Sequence, residues 1–285
     1  MPEHRSIGGA RCCSEASAIV DPTSIADNLR IAHAAVGTAR TVRLVADRLA
    51  GRRDRERPVR VDGLTHPFTT SGHLSDLEML AQVRHSPVLR ALLDVIDATT
   101  TDPILDIGAN IGTTATFFAS HFPYSTVTAV EPSERNRALL VRNAAPYGER
   151  IRVIGAAITP TGGLAYQLSP TAAATDEFCG LRYGPAAIEL EEAADMHAVP
   201  AMTLAELHIA IGSPSKLALV KLDVEGGERE LAVAGLTELL ALTDAFVVET
   251  HDRHRPGANA AVEQAATEAG LRRMTSDGND HLYAR

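Results

Sequence analysis

A chain of 285 residues with 45% hydrophobic content can bury a sizeable core and form one large or two small domains. Its 27 basic against 36 acidic residues, a net charge of -9, argue against nucleic acid as the main partner, and no run of about 18 apolar residues is present to span a bilayer. The N-terminal MPEHRSIGGARCC lacks the apolar core of a secretory signal, and Cys12, Cys13 and Cys179 have neither metal-site spacing nor a disulfide framework, so a cytoplasmic setting is expected.

In chain order, residues 1 to about 20 have the composition of a disordered start. Asp21-Pro22-Thr23-Ser24 then opens a helical region, with Ile25, Leu29 and Val36, followed by Val42, Val45 and Leu49, at helical spacing and Gly37 and Gly51 as breaks. This extension, 1–57, is expected to pack on the main domain, or to serve as a lid or as a homodimer contact. The main domain is expected over 58–285. It leads with a hairpin around Asp62-Gly63 and two helices, from Ser75 to about Val83 and from Pro87 to about Ala98, within 58–100.

The central unit runs from Pro103 to Pro132. The strand Ile104-Leu105-Asp106-Ile107 breaks into a glycine-containing turn, Gly108 to Gly112, then come a helix and a second strand ending at Glu131. A helix over 133–145, a strand over 152–156 and a hairpin near Gly162-Gly163 follow. The polar, alanine-rich stretch 169–198 reads equally as a substrate loop or a flexible excursion. Regularity returns with a helix over 204–211, an apolar strand over 217–222 ending in Asp223, and a helix from Gly227. A strand over 245–248 ending in Glu249, a helix over 259–269 and two short strands joined at Gly278-Asn279 complete the chain. Strands alternating with helices imply an α/β, Rossmann-like fold with a seven-stranded, mostly parallel sheet and an antiparallel last strand. Ligands should collect at strand carboxyl ends, which carry Asp106, Glu131, Asp223 and Glu249.

A dinucleotide fingerprint wants G-x-G-x-x-G, but Asp106 stands at the first glycine position. A carboxylate repels a pyrophosphate and attracts a sulfonium and an amine, so S-adenosylmethionine fits better, with Glu131 accepting both ribose hydroxyls. The sequence resembles the FkbM family of S-adenosylmethionine-dependent methyltransferases over roughly 59–250. The resemblance rests on Asp106-Ile107-Gly108-Ala109-Asn110-Ile111-Gly112, Val130-Glu131-Pro132, Asn143, Ala157, Ser75-Asp76, Val248-Glu249 and above all Val220-Lys221-Leu222-Asp223-Val224-Glu225-Gly226-Gly227-Glu228. It implies a class I methyltransferase fold, with Asp106, Gly108, Ala109, Asn110, Gly112, Glu131, Pro132, Ala157 and Asp223 around the cofactor.

Transfer to a hydroxyl needs an in-line arrangement and a base. Candidates at strand ends are Asp223, Glu225, Glu249, His251, Asp252 and His254, with Lys221, Asp223 and, if the strand continues, Glu225 on one face by the period of two. Lys221, in an otherwise apolar strand, requires a carboxylate partner if buried. The expected roles are His251 or Asp223 as general base and Glu249 as orienting group. A divalent metal on Asp223, Glu249 and Asp252 is compatible with the sequence and not required by it. The expected reaction is O-methylation of a small-molecule natural product or sugar. N- or carboxyl-methylation and a non-catalytic, cofactor-binding scaffold are the alternatives.

Overall fold

The register of the central strands decides which residues meet at the site. The computed structural model describes residues 37, 56–71, 74–168, 181–182, 196–252 and 256–285. The expected N-terminal helices and their lid or dimer role, the three cysteines, His254 and most of 169–198 lie outside these residues.

A short antiparallel pair, β1 (Arg57–Val59) and β2 (Phe68–Thr70), leads into helices α1 (Leu74–His85) and α2 (Pro87–Val95). Ser86 caps α2 by accepting from Leu89 N, and Pro87 occupies its first turn, where a missing N–H costs nothing. The alternation then begins. It comprises β3 (Ile104–Ile107), α3 (Thr113–His121), β4 (Val127–Val130), α4 (Glu134–Ala144), a 3-10 turn over Ala145–Arg150 and β5 (Ile151–Ile154). Four short strands follow, β6 (Ala157–Ile158), β7 (Gly163–Leu168), β8 (Leu181–Arg182) and β9 (Met196–Met202). The chain closes with α5 (Leu204–Ala210), β10 (Leu217–Leu222), α6 (Glu228–Leu231), a π turn over Ala232–Leu236, α7 (Thr237–Ala241), β11 (Thr243–Glu249), α8 (Ala258–Glu268), β12 (Arg272–Asp277) and β13 (Asp280–Ala284).

Seven strands form the main sheet in the order β12-β13-β11-β10-β3-β4-β5. All its pairs are parallel except β11–β13 and β12–β13, so the fold is Rossmann-like with the terminal hairpin read from Gly278-Asn279. The chain order reverses between β3 and β10, which is where such sheets place their ligands. The hairpin expected at Gly162-Gly163 is corrected. β6 and β7 flank that turn without pairing, because β9 lies between them, parallel to β6 and antiparallel to β7, in a separate four-stranded sheet with β8.

Both faces of the main sheet are covered. One face packs Val88, Leu89 and Leu92 of α2 and Ala115 and Phe118 of α3 against Ile104, Val127 and Ala245. The other packs Leu204, Leu231, Leu239 and Val262 from α5 to α8 against Leu105, Val220 and Phe246. Such double burial is why these strands read as continuous apolar runs. It also makes Asp106 and Lys221 conspicuous: the register pairs them directly and puts both on the α2–α3 face, level with Ala129 and Val247.

Two glycines set how closely the turn after β3 approaches its neighbours. At Gly108 (φ +81°) a Cβ would lie 1.7 Å from the Asp223 carbonyl oxygen, and at Gly112 (φ +92°) 2.7 Å from Leu140 Cδ1. The first obstacle is backbone and cannot move aside, whereas the second is the end of a side chain. Gly148 (φ +60°) has open space around its would-be Cβ and serves as a reference for conformational strain alone. Chemical denaturation should therefore set one of three variants apart. Gly148→Ala (ψ −139°, an extended positive-φ conformation) and Gly112→Ala (ψ +20°, left-handed helical) each lose about 1–3 kcal/mol, and Gly108→Ala loses over about 4 kcal/mol or yields no folded protein.

Candidate active site

Lys221 occupies the centre of the site. Period-two alternation along β10 turns it toward the α2–α3 face, beside Asp106 of β3 and below Asp223, the first residue beyond β10. Its ammonium donates to the Gly108 carbonyl oxygen at 2.9 Å and to Asp223 Oδ2 at 3.2 Å, and lies 3.7 Å from Asp106 Oδ1. Burial disfavours its charge, but Asp223 and Asp106 outweigh that and raise the pKa above the ordinary lysine value. The carboxylate partner that the sequence demanded is thus supplied twice.

Asp106 is fully buried. Its Oδ2 accepts from Thr114 Oγ1 at 2.6 Å, while Oδ1 lacks a hydrogen-bond partner. Burial raises its pKa, opposed by Lys221 and by the Thr114 hydroxyl. Asp106 lines neither of the two cavities described below, whereas Thr114 and Lys221, which contact it, line the larger one. Gly112 lies against Leu140 of α4.

Glu131, one residue beyond β4, is 6% exposed. Its Oε2 accepts from Asn110 N and its Oε1 from Ser133 N, both at 2.9 Å, so it ties the turn after β3 to the start of α4. Burial, opposed by those two backbone N–H groups, pushes its carboxyl up to about 7. Each oxygen retains a further acceptor position. Glu131 lines a cavity of about 90 Å³ with Gly108, Asn110, Pro132, Ala157 and Asp223, six of the residues expected around a cofactor. Asn143 had no stated role in the sequence reading. It is 2% exposed, accepts from Thr69 N at 2.7 Å, and donates to Thr69 O and Ile111 O at 3.0 and 2.9 Å, stapling β2 and the same turn to α4.

A second cleft, of about 350 Å³, opens between α1–α2 and the carboxyl ends of β3, β10 and β11. Lys221, Asp223, Glu225, Glu249 and His251 all line it, together with Asp280, which sequence reasoning missed because it begins β13 beside the Gly278-Asn279 turn. The two cavities share Gly108, Asn110, Asp223 and Glu225.

His251 follows β11 and is held from both sides. Its Nδ1 lies 2.8 Å from Glu228 Oε1, and its Nε2 lies 3.2 Å from Glu225 Oε2 and 3.9 Å from Glu249 Oε1. Burial opposes its charge, but the bonds to Glu225 and Glu228 prevail and push it up to about 11. At neutral pH the ring therefore holds its proton, which disfavours it as the base that the sequence suggested. Glu249 behaves oppositely: burial, then repulsion from Asp223 and Asp280, pushes it up to about 7, the range suited to a general base at neutral pH. Asp223 is also raised, by burial first, with Lys221 opposing and Glu225 adding repulsion.

Of the residues named for an optional metal, Asp252 stands apart. Asp252 accepts from Asn259 N at 3.0 Å and so serves the start of α8. Among the described residues, the groups whose donor atoms converge, all within 4.8 Å of one another, are Asp223, Glu249 and His251. The Lys221 ammonium already neutralises Asp223 from one side, and the His251 proton stands between the carboxylates from the other.

Residues 106–272, more than half of the chain, match the family model for the Methyltransferase FkbM domain. Similar solved structures include a methyltransferase FkbM from Methylobacillus flagellatus KT, at 14% identity and TM-score 0.43 over 74% of this chain and 55% of that one. Fibrillarin from Aeropyrum pernix, solved with natively bound S-adenosyl-L-methionine, matches at 12% identity and TM-score 0.38 over 68% and 72%. The S-adenosylmethionine-dependent methyltransferase SibL, in its apo form, matches at 15% identity and TM-score 0.40 over 92% and 75%. The chain thus spans about half the length of the first of these. No curated protein matches significantly.

Removing the ammonium tests its central place. Lys221→Met leaves Asp106 and Asp223 without their cation, and denaturation at pH 8 should show a loss of about 3–5 kcal/mol. Both carboxyls have raised pKa values, so protonation relieves the repulsion and the loss is smaller at pH 5 than at pH 8. An equal loss at both would place the damage in packing.

Proposed function

The chain belongs to the Methyltransferase FkbM domain family, and from that premise we propose that it transfers the methyl group of S-adenosylmethionine to a hydroxyl of a small-molecule acceptor, such as a natural product or a sugar. The observation that carries this reading is the shared lining of the two cavities at Gly108, Asn110, Asp223 and Glu225. A donor whose adenosine end sits at the smaller cavity and whose sulfonium reaches the junction would meet an acceptor held in the larger one at those residues. Displacement at carbon requires that meeting, with nucleophile, methyl and leaving sulfur in line.

The donor cavity fits the cofactor by its chemistry. Glu131 is a buried carboxylate with acceptor capacity left over, suited to the two ribose hydroxyls, and Pro132, Ala157 and Ile158 give apolar walls for a base. The bound cofactor supplies an electrophilic methyl on a sulfonium. Asp223 and Glu225 put negative charge at the junction, which suits a sulfonium and disfavours a pyrophosphate.

On the acceptor side, a hydroxyl becomes a competent nucleophile as it loses its proton. Glu249 faces the cleft with a carboxyl held near neutrality, and it takes that proton. His251, protonated and pinned by Glu225 and Glu228, acts as a donor that orients the acceptor oxygen. Lys221 keeps Asp223 in place and neutralised from beneath.

Calorimetric titration with S-adenosylmethionine, S-adenosylhomocysteine and NAD tests the donor assignment: the first two bind, and binding of NAD alone would reject it. An acceptor screen read by mass spectrometry for a gain of one methyl follows, with the position of the methyl deciding oxygen against nitrogen.

Glu131 gives the binding step a pH dependence of known sign. Its carboxyl is raised to about 7 and the ribose hydroxyls need the ionised form, so affinity is lost as pH falls through 7. The Kd for S-adenosylmethionine should fall about tenfold from pH 6 to pH 8, the change in the ionised fraction of such a group. Glu131→Gln should bind more weakly and flatten that dependence. An unaltered slope in the variant would assign the pH effect to another group.

A further inference from the structure

Glu228 is a buried acid for which the reading above gives only a partial use. It is the first residue of α6, it is completely buried, and it belongs to the sequence block that runs from Lys221. Its Oε1 accepts from Gly226 N at 3.0 Å and meets His251 Nδ1 at 2.8 Å, while its Oε2 is buried without a partner. A side chain present only to finish a helix start would need the Gly226 contact alone. A fully buried carboxylate with one oxygen unsatisfied is costly, and the imidazole is the side chain that it meets.

We propose that Glu228 is a positioning residue for His251: its buried carboxylate holds the ring through Nδ1 and so aims Nε2 into the acceptor cleft, toward Glu225 and Glu249.

The geometry determines the ring's orientation. An ionised carboxylate only accepts, so Nδ1 must be the donor in this contact, and the protonated ring leaves Nε2–H as its second donor. The Gly226 N–H anchors the same oxygen from the backbone, so the carboxylate does not swing with the ring. With Nδ1 fixed, Nε2 lies between Glu225 Oε2 at 3.2 Å and Glu249 Oε1 at 3.9 Å, both on the cleft wall. Glu225 can give way, since its side chain is 36% exposed and it stands on a left-handed backbone (φ +54°) outside any strand or helix. An acceptor oxygen that displaces Glu225 then finds Nε2 already oriented. The same logic lets a buried acid orient a histidine in hydrolytic triads, where the acid touches only the ring.

This assignment rests on the methyl-transfer reading for the identity of the cleft, but the ring contact itself can be measured apart from turnover. In the full chain labelled with 15N-histidine, the His251 ring nitrogens are identified by their loss in His251→Gln. Glu228→Gln, which preserves shape and removes charge, should shift the Nδ1 resonance while the Kd for S-adenosylmethionine stays within about twofold, because Glu228 lines neither cavity. Unchanged ring resonances in folded Glu228→Gln overturn the proposal whatever the enzyme's substrate. With an acceptor in hand, Glu228→Gln should lower kcat about tenfold with little change in KM. In a His251→Ala background it should have no further effect on kcat, as expected of a residue acting through the ring. Full multiplication of the two losses would overturn the proposal, since a structural cap acts regardless of His251. If no acceptor is ever methylated, the resonance measurement still decides the role of Glu228 and the methyl-transfer reading falls alone.

Discussion

One ammonium group holds the two halves of the site together. Lys221 Nζ joins the Gly108 carbonyl at the end of β3 to the Asp223 carboxylate at the end of β10, with Asp106 beside both. These are the two strands between which the chain order reverses, so the opening that the fold creates there is spanned by a single buried cation. The approach is close enough that Gly108 has no room for a Cβ before the Asp223 carbonyl. A buried ion pair is weak evidence for stability, because burying its charges offsets much of the attraction. Its value here is positional. It fixes the height of Asp223 relative to Gly108 and Asn110, the residues at which the two cavities meet.

The remaining acids are sorted by what surrounds them. Glu228 is held below its usual value, with burial overcome by His251 and by the Gly226 N–H, and so stays ionised. Glu131 and Glu249 are both pushed up to about 7, but for different reasons: Glu131 chiefly by burial, Glu249 by burial together with the neighbouring Asp223 and Asp280. Like carboxylates crowded in one cleft cannot all ionise freely, and the one left near neutrality is the one able to exchange a proton. A cleft assembled for packing alone would have no need of this spread.

Much of this was legible in the sequence because burial leaves a simple trace there. The doubly covered strands appear as apolar runs, and one lysine inside such a run announces its carboxylate partners before any coordinates exist. Asp106 was legible as unusual but its partners were not, since sequence shows that an acid replaces a glycine and not that Thr114 and Lys221 contact it. Asp252 stands apart for a similar reason: Asp252 and His251 are neighbours in the chain, but the turn points one carboxylate at Asn259 N and the other side chain into the cleft. The small four-stranded sheet was hidden because β6 and β7 meet through β9, a strand that begins only at the end of the long stretch 169–198. Local patterns cannot announce a partner so distant in sequence.

Glu228 shows where a motif gives less than its geometry. The block from Lys221 to Glu228 reads along one strand and into one helix, and the period of two relates Lys221 to Asp223 and stops there. Beyond Asp223 the backbone turns through left-handed conformations at Glu225 and Gly226, so Glu225 and Glu228 reach the same imidazole from opposite sides. That reversal is what a left-handed turn accomplishes, and glycine at position 226 (φ +100°) adopts it without the strain that a Cβ would bring. The adjacent Glu225 carries that strain as a non-glycine residue, a cost the fold keeps at the point where its side chain caps the imidazole and borders both cavities. The strained turn beyond β10 therefore does for the acceptor side what the glycine turn beyond β3 does for the donor side: each bends the chain out of its strand to bring a polar group to the opening between them.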